Sequence, residues 1–186
     1  LGGRGPNLRS SRNQGRGRAS FQIIVMRHGI AAKRGVPVGS DDAKRPLTSK
    51  GKQRTEQIAA GLNQLGCDVD WIVTSPLVRA AETAELVAAS FRRRVPVDTC
   101  AALRPGGSPE DLLSFLAKNP ERKRVLLVGH EPDLSQLAAR LIGAGSQANL
   151  AFKKGGCCLI RFDDDPSRST GQLVWWLTPR LLRAIP

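Results

Sequence analysis

From Phe21 onward the chain alternates short apolar runs with amphipathic stretches. Phe21-Gln-Ile-Ile-Val-Met26 is apolar and β-branched, which predicts a buried strand. Thr48 to Leu65 sets Ile58, Leu62 and Leu65 on one face of a helix. Trp71 to Thr74 reads as a second strand. Pro76 to Ser90 predicts a helix with proline in its first turn, where a missing N–H costs nothing. Arg94 to Val97 is a weak strand. Ser108-Pro-Glu-Asp opens another helix, with an N-cap, a proline at the first position and early acids. Arg124 to Val128 is a strongly buried strand. Leu134, Leu137, Ala138, Leu141 and Ile142 then repeat at the i, i+3, i+4, i+7, i+8 spacing of a helix. Cys157 to Phe162 and Gln172 to Leu177 form a closing pair of strands around the turn Asp163-Asp-Asp-Pro-Ser-Arg168.

Regular alternation of strand and helix predicts an α/β fold. Its expected form is a three-layer sandwich, with a mainly parallel central sheet flanked by helices. One domain is expected over residues 21–186. Residues 1–20 read differently. They hold five Arg, five Gly and three Ser, no acids and almost nothing to bury, which predicts a disordered basic tail. An Arg- and Ser-rich, acid-poor segment of this kind also resembles a transit peptide or a start-site remnant.

Composition narrows the function classes. The longest charge-free run is Leu141 to Phe152, too short to cross a membrane, so no membrane role is expected. Cys67, Cys100, Cys157 and Cys158 have no regular spacing, which argues against a disulfide scaffold and a zinc site. Reduced thiols and a cytoplasmic setting follow as the expectation. The net charge is +13, and the 24 Lys+Arg left after the five tail arginines still exceed the 16 acids. A positive field attracts anions, phosphate esters and phosphorylated proteins among them.

The polar residues that matter collect at strand ends. The chain has two histidines. His28 follows the first strand in Met26-Arg-His-Gly29. His130 follows the strand ending at Val128, in Val128-Gly-His-Glu131. Arg79 lies in the first turn after the Trp71–Thr74 strand. In parallel α/β sheets ligands bind at the carboxyl edge of the strands, so His28, Arg27, Arg79 and His130 are expected to converge. Gly29 and Gly129 would let the backbone approach a ligand closely. Guanidinium groups match phosphate oxygens and keep their charge. A neutral histidine is a competent nucleophile toward phosphorus. Phosphoryl transfer suits this set, and no metal or other cofactor is implied.

Four stretches occur in a characteristic order. They are Arg27-His28-Gly29, Arg45-Pro-Leu-Thr48, Ser75-Pro-Leu-Val-Arg79-Ala-Ala-Glu-Thr-Ala84 and Gly129-His130-Glu-Pro132. Together they resemble the histidine phosphatase superfamily, which has a phosphoglycerate mutase-like fold. The compact chain and the Arg-Pro-Leu-Thr step are similar to the SixA-type phosphohistidine phosphatases, which lack an inserted cap. The resemblance implies that His28 is transiently phosphorylated, that Arg27 and Arg79 clamp the phosphoryl group, and that His130 donates to its oxygens. Arg45 matches the additional arginine of the SixA-type pocket, with a loop ion pair to Asp41 or Asp42 as its alternative. Arg45 and Gly29 are therefore taken as substrate-binding.

A general acid is the missing piece. Arg104-Pro-Gly-Gly-Ser-Pro-Glu shows no clear equivalent of the acid of larger superfamily members. Glu131 stands where another branch carries a proton donor, but Glu131-Pro132 also reads as a simple helix start. A missing acid is tolerable when the leaving group is good, as the imidazole of a phosphohistidine is. The expected substrate is then phosphohistidine on a signalling phosphotransfer protein. A small phosphoester on the same fold is the alternative within enzymes. A basic polyanion- or nucleic-acid-binding module is the alternative outside them. Against the latter, Tyr is absent and aromatics are 4%, so no base-stacking platform is evident.

Overall fold

The computed structural model describes residues 21–36, 41–145 and 148–185. The basic tail expected over residues 1–20 lies outside them. Six strands form one sheet in the order β3-β2-β4-β1-β5-β6. They are β1 (Phe21–Arg27), β2 (Trp71–Thr74), β3 (Val97–Thr99), β4 (Arg124–Gly129), β5 (Cys157–Phe162) and β6 (Gln172–Leu177). β3, β2, β4 and β1 run parallel, while β5 is antiparallel to β1 and to β6. The helices are α1 (Ser49–Gln64), α2 (Val78–Ser90), α3 (Pro109–Ala117), α4 (Asp133–Leu141) and α5 (Pro179–Leu182).

Alternation along the central strands builds the two cores. Ile23 and Val25 of β1 and Val125 and Leu127 of β4 join Leu112, Leu116, Leu134 and Leu137 of α3 and α4. Ile24 and Met26, with Leu126 and Val128, join Ile58 and Leu62 of α1, Ala80 and Val87 of α2, and Leu182 of α5. A strand buried on both faces carries an unbroken apolar run, which is why β1 and β4 read so clearly. Each fully buried Ile or Leu here contributes roughly 1.5–3 kcal/mol of transfer free energy.

Three boundaries move. Pro76 lies outside α2, whose N-cap is Leu77, so proline does not occupy the first helical turn as expected. The weak strand expected at Arg94 to Val97 instead spans Val97–Thr99, pairing with β2 through Ile72 and Thr74. Thr48 caps α1 rather than joining it, its hydroxyl accepting the Gly51 N–H at 2.9 Å. Ser108 caps α3 with Pro109 at its start, as the sequence suggested.

Chain direction sets the site. After β1 the chain passes over the α1/α2 face, and after β4 it passes into α4 on the opposite face. These adjacent parallel strands therefore open a crevice at their carboxyl ends, where α/β sheets bind ligands.

Candidate active site

The β1/β4 ladder brings the two histidines together. Arg27 pairs with Gly129, and the His28 N–H continues the ladder by donating to the Gly129 carbonyl at 3.1 Å. The rings of His28 and His130 then lie 5.0 Å apart between centroids. Ser75 enters from β2 by donating its N–H to Val128 at 2.9 Å. Strand parity carries Arg27 and His28 to opposite sides of the sheet, Arg27 toward α4 and His28 toward α2.

His28 is held as a neutral ring with one nitrogen unprotonated. Nδ1 sits 2.7 Å from the Gly29 carbonyl, which can only accept, so Nδ1 carries the proton. Nε2 therefore presents its lone pair and receives the Nε–H of Arg79 at 3.3 Å. Burial, above all, lowers the His28 pKa to about 3. The charges of His130, Arg79 and Arg27 act in the same direction, and the Gly29 carbonyl opposes them.

His130 is arranged the other way round. Its Nε2 lies 2.8 Å from the Ser75 hydroxyl, which also accepts the Leu77 N–H at 3.3 Å. Only donation from Ser75 to Nε2 pairs the buried hydroxyl proton, and this places the His130 proton on Nδ1. That Nδ1 is buried without a partner among the described residues, so it is a donor available to a ligand. Burial and the charge of Arg79 lower the His130 pKa to about 4, with Asp42 opposing and Arg27 and Arg45 adding.

One face of α2 organises the surroundings of His28. Arg79, Glu82 and Thr83 lie at i, i+3 and i+4. Arg79 reaches His28, the Glu82 carboxylate accepts the Leu47 N–H at 2.6 Å, and the Thr83 hydroxyl accepts the Gly29 N–H at 3.0 Å. The Arg79-Ala-Ala-Glu-Thr run is thus a clamp on the two loops that bear Gly29 and Arg45. Arg79 has only 3% of its side chain exposed. Burial lowers its pKa, and Asp42 offsets this.

Arg27 donates from Nη1 to the Phe152 carbonyl at 2.7 Å, and its buried Nε lacks a partner among the described residues. It borders a groove of about 1020 Å³ between α4 and residues Ala148 to Phe152. Arg45 makes the ion pair weighed for it from sequence, at 2.8 Å to Asp42, and also donates to the Ala32 carbonyl at 2.6 Å. Asp42 belongs to the site itself, because it also holds Arg79. Partial burial works to raise the Asp42 pKa. Hydrogen bonds from Arg45 and Arg34 and the charge of Arg79 outweigh it, so the group is held below its ordinary value.

Two expected roles take a different form. Gly29 was expected to let a ligand approach. A Cβ there would instead stand 2.5 Å from Thr55 Oγ1 and 3.2 Å from Leu47, so the missing side chain makes room for α1. The Glu131 carboxylate accepts from the Ser135 hydroxyl at 2.5 Å, from the Ser135 N–H at 3.3 Å and from the Phe152 N–H. Both its oxygens are engaged in fixing α4 to the Phe152 segment.

The sequence points to no task for Ser75, and to Asp42 only as an ion-pair partner of Arg45. Ser75 was findable, since the residue one step past β2 lies beside the carboxyl end of the neighbouring β4, which His130 follows directly. The reach of Asp42 to Arg79 had no sequence signal.

Among the described residues no three His, Cys, Asp or Glu side chains cluster as metal ligands would. Among the described residues no helix is long and apolar enough to cross a membrane.

Comparison with known proteins bears on this arrangement. Residues 23–105 match the profile of the histidine phosphatase superfamily, branch 1. An uncharacterized protein of Picosynechococcus sp. is 39% identical over 144 residues, covering 76% of this chain and 85% of its own. The phosphohistidine phosphatase SixA of Escherichia coli is 28% identical over 161 residues, covering 86% and 94%. Among solved structures, the protein histidine phosphatase SixA complexed with tungstate superposes with a TM-score of 0.74 at 24% identity, covering 87% of this chain and 99% of that one. An alpha-ribazole-5′-P phosphatase of Escherichia coli, described as putative, superposes with a TM-score of 0.67 at 22% identity, covering 89% and 98%. At these identities the superpositions establish the fold, a mixed α/β sheet of six strands flanked by helices.

Proposed function

This chain belongs to the histidine phosphatase superfamily, and we propose that it hydrolyses phosphohistidine on a protein through a covalent intermediate on His28. The observation that carries this reading is the pair of contacts at His28. Nδ1 is tied to the Gly29 carbonyl and Nε2 faces the Nε–H of Arg79.

In the first step the Nε2 lone pair attacks phosphorus. A nitrogen–phosphorus bond forms on His28 and the bond to the substrate nitrogen breaks. That nitrogen keeps the electron pair and takes a proton from water. In the second step water attacks phosphorus, the bond to Nε2 breaks, and His28 recovers its lone pair as phosphate leaves. Arg79, Arg27 and Arg45 supply positive charge to the phosphoryl oxygens, and the Nδ1–H of His130 supplies a further donor. The low pKa of His28 keeps it nucleophilic at neutral and mildly acidic pH.

The state of the carboxylates supports this substrate class. Asp42 accepts from three arginines, and Glu131 accepts from Ser135 and Phe152. Neither is a free carboxylic acid beside the nucleophile. An alkoxide leaving group needs such a donor, whereas an imidazole needs it less. The similarity to a phosphohistidine phosphatase of Escherichia coli supports the same choice. A basic chain would also steer a phosphorylated, acidic partner, with an on-rate that falls as salt rises. Cytoplasmic two-component signalling is the setting such a partner would imply.

A second reading is a small-molecule phosphomonoesterase. The groove beside Arg27 offers room for an organic group, and the putative alpha-ribazole-5′-P phosphatase shares the fold. The deciding experiment compares phosphate release from a phosphohistidine-bearing phosphotransfer protein and from an alkyl phosphate at equal concentration. Faster release from the protein is expected. Much faster release from the alkyl ester would move the substrate to small molecules.

A further inference from the structure

We propose that Asp42 is a positioning residue of the phosphoryl site, locking Arg79 and Arg45 into one clamp and turning the Nε edge of Arg79 toward His28. The inference rests on the reading of His28 as the group that takes the phosphoryl.

A guanidinium presents two hydrogen-bonding edges, one made by the two Nη groups and one by Nε with a single Nη. In Arg79 these edges have separate partners. Nη1 donates to the Asp42 carbonyl at 2.8 Å and Nη2 to its carboxylate Oδ2 at 3.2 Å. Nε donates to His28 Nε2 at 3.3 Å. Asp42 thus closes the end edge by main chain and side chain together. The remaining edge faces the atom that would carry the phosphoryl group.

The same carboxylate holds the second cation. Its Oδ1 accepts from Arg45 Nε at 2.8 Å and from Arg34 Nε at 3.0 Å. The Arg79 and Arg45 side chains are 3% and 12% exposed, so their repulsion is poorly screened. A carboxylate between them offsets that repulsion and fixes both forks in one geometry, as planar bidentate partners require. Its neighbour Asp41 has another task. It caps the short turn Asp42–Lys44 by accepting the Ala43 N–H at 2.9 Å.

Two other roles fit less well. A general acid needs a proton and a free oxygen, and both oxygens of Asp42 accept from arginines. An inhibitory plug would stand between Arg79 and His28, yet Arg79 reaches Nε2 directly. Asp42 lies behind the guanidinium rather than in front of it.

Charge and positioning make opposite predictions. Removing a carboxylate beside an anion site tightens anion binding by charge alone. Losing the clamp weakens it. The test uses the full chain with Asp42→Ala, Asp42→Asn and Asp42→Glu. It measures tungstate binding by calorimetry, and kcat and KM for p-nitrophenyl phosphate and an alkyl phosphate. Loss of charge-assisted hydrogen bonds should weaken tungstate about tenfold or more in Asp42→Ala. Asp42→Asn should fall between it and wild type, and Asp42→Glu should recover part of the loss. The rate should drop by one common factor for both esters. Tungstate bound as tightly or more tightly by Asp42→Ala and Asp42→Asn would overturn the proposal. A rate loss confined to the alkyl ester would also overturn it, and would make Asp42 the proton donor. Failure of the parent reading would show separately, as wild-type turnover that survives His28→Ala.

Discussion

Arg79 sends its Nε–H to Nε2 of His28 across 3.3 Å, although the two residues stand 51 positions apart. The contact aims a fixed positive charge at the one ring nitrogen that carries no proton. Arg79→Ala should therefore lower kcat/KM by at least about a hundredfold, the cost of one lost electrostatic donor. Arg79→Lys should recover little, because a point charge cannot hold Asp42 with one edge and face His28 with the other. Steady-state kinetics with p-nitrophenyl phosphate checks both. Near-wild-type activity in Arg79→Ala would remove Arg79 from the machinery.

The Ser75 hydroxyl sets the tautomer of His130. Ser75→Ala frees Nε2 and lets the proton leave Nδ1 for part of the time. One hydrogen bond of about 1–2 kcal/mol is at stake, so kcat should fall roughly fivefold to thirtyfold with the fold intact. Ser75→Thr, which keeps the hydroxyl, should lie closer to wild type. Equal activity of wild type and Ser75→Ala would show that the tautomer is set elsewhere.

At Gly29 the constraint is steric. A methyl group there meets Thr55 Oγ1, and that hydroxyl is itself committed to the Gly51 carbonyl at 2.8 Å. Gly29→Ala should cost roughly 1–3 kcal/mol, the usual penalty for overpacking a closed core. Thermal denaturation should show it as a drop of several degrees, about 2–4 °C per kcal/mol for a chain of this size. Pairing it with Thr55→Ser, which keeps the hydroxyl, should not relieve the clash, whereas Thr55→Ala should relieve part of it.

Acid should destabilise the fold through the two histidines. Burial, opposed by the Gly29 carbonyl and reinforced by neighbouring charges, lowers His28 to about 3. Burial and Arg79 lower His130 to about 4. Unfolded histidines titrate near 6.5. Above roughly pH 6.5 neither state binds these protons, and stability is fully present. Below it the unfolded chain takes up about two protons that the folded chain refuses. Stability is lost from there down to about 4 for His130 and about 3 for His28. Urea midpoints at pH 7, 6 and 5 should fall steadily, and more steeply for wild type than for a His28→Asn, His130→Asn double variant. Parallel curves would contradict these assignments.

Much of this was legible in the chain. β1, β4, β5 and β6 read clearly because strands buried on both faces, or closing a hairpin, carry dense apolar runs. His28 and His130 were placed by a simple rule, since both follow such strands directly. The misplaced segment was β3, whose residues Val97–Thr99 are half-buried to exposed and carry no apolar alternation. The start of α2 shifted because Pro76 suits the approach to a helix as well as its first turn. Arg45 and its ion pair were a local i,i+3 relationship and could be weighed from sequence. The bond from Asp42 to Arg79 spans 37 positions and arises only when α2 and the 41–45 turn pack together.

The proposed mechanism turns on a phosphoryl group carried by His28 Nε2. The most direct test is rapid acid-free quenching of wild type with a phosphohistidine-bearing protein, followed by mass mapping of the modified residue. An acid-labile, base-stable phosphate is expected on His28, formed before free phosphate appears and absent from His28→Ala, which should release none. Phosphate release at the wild-type rate by His28→Ala, or trapped phosphate on another residue alone, would contradict it.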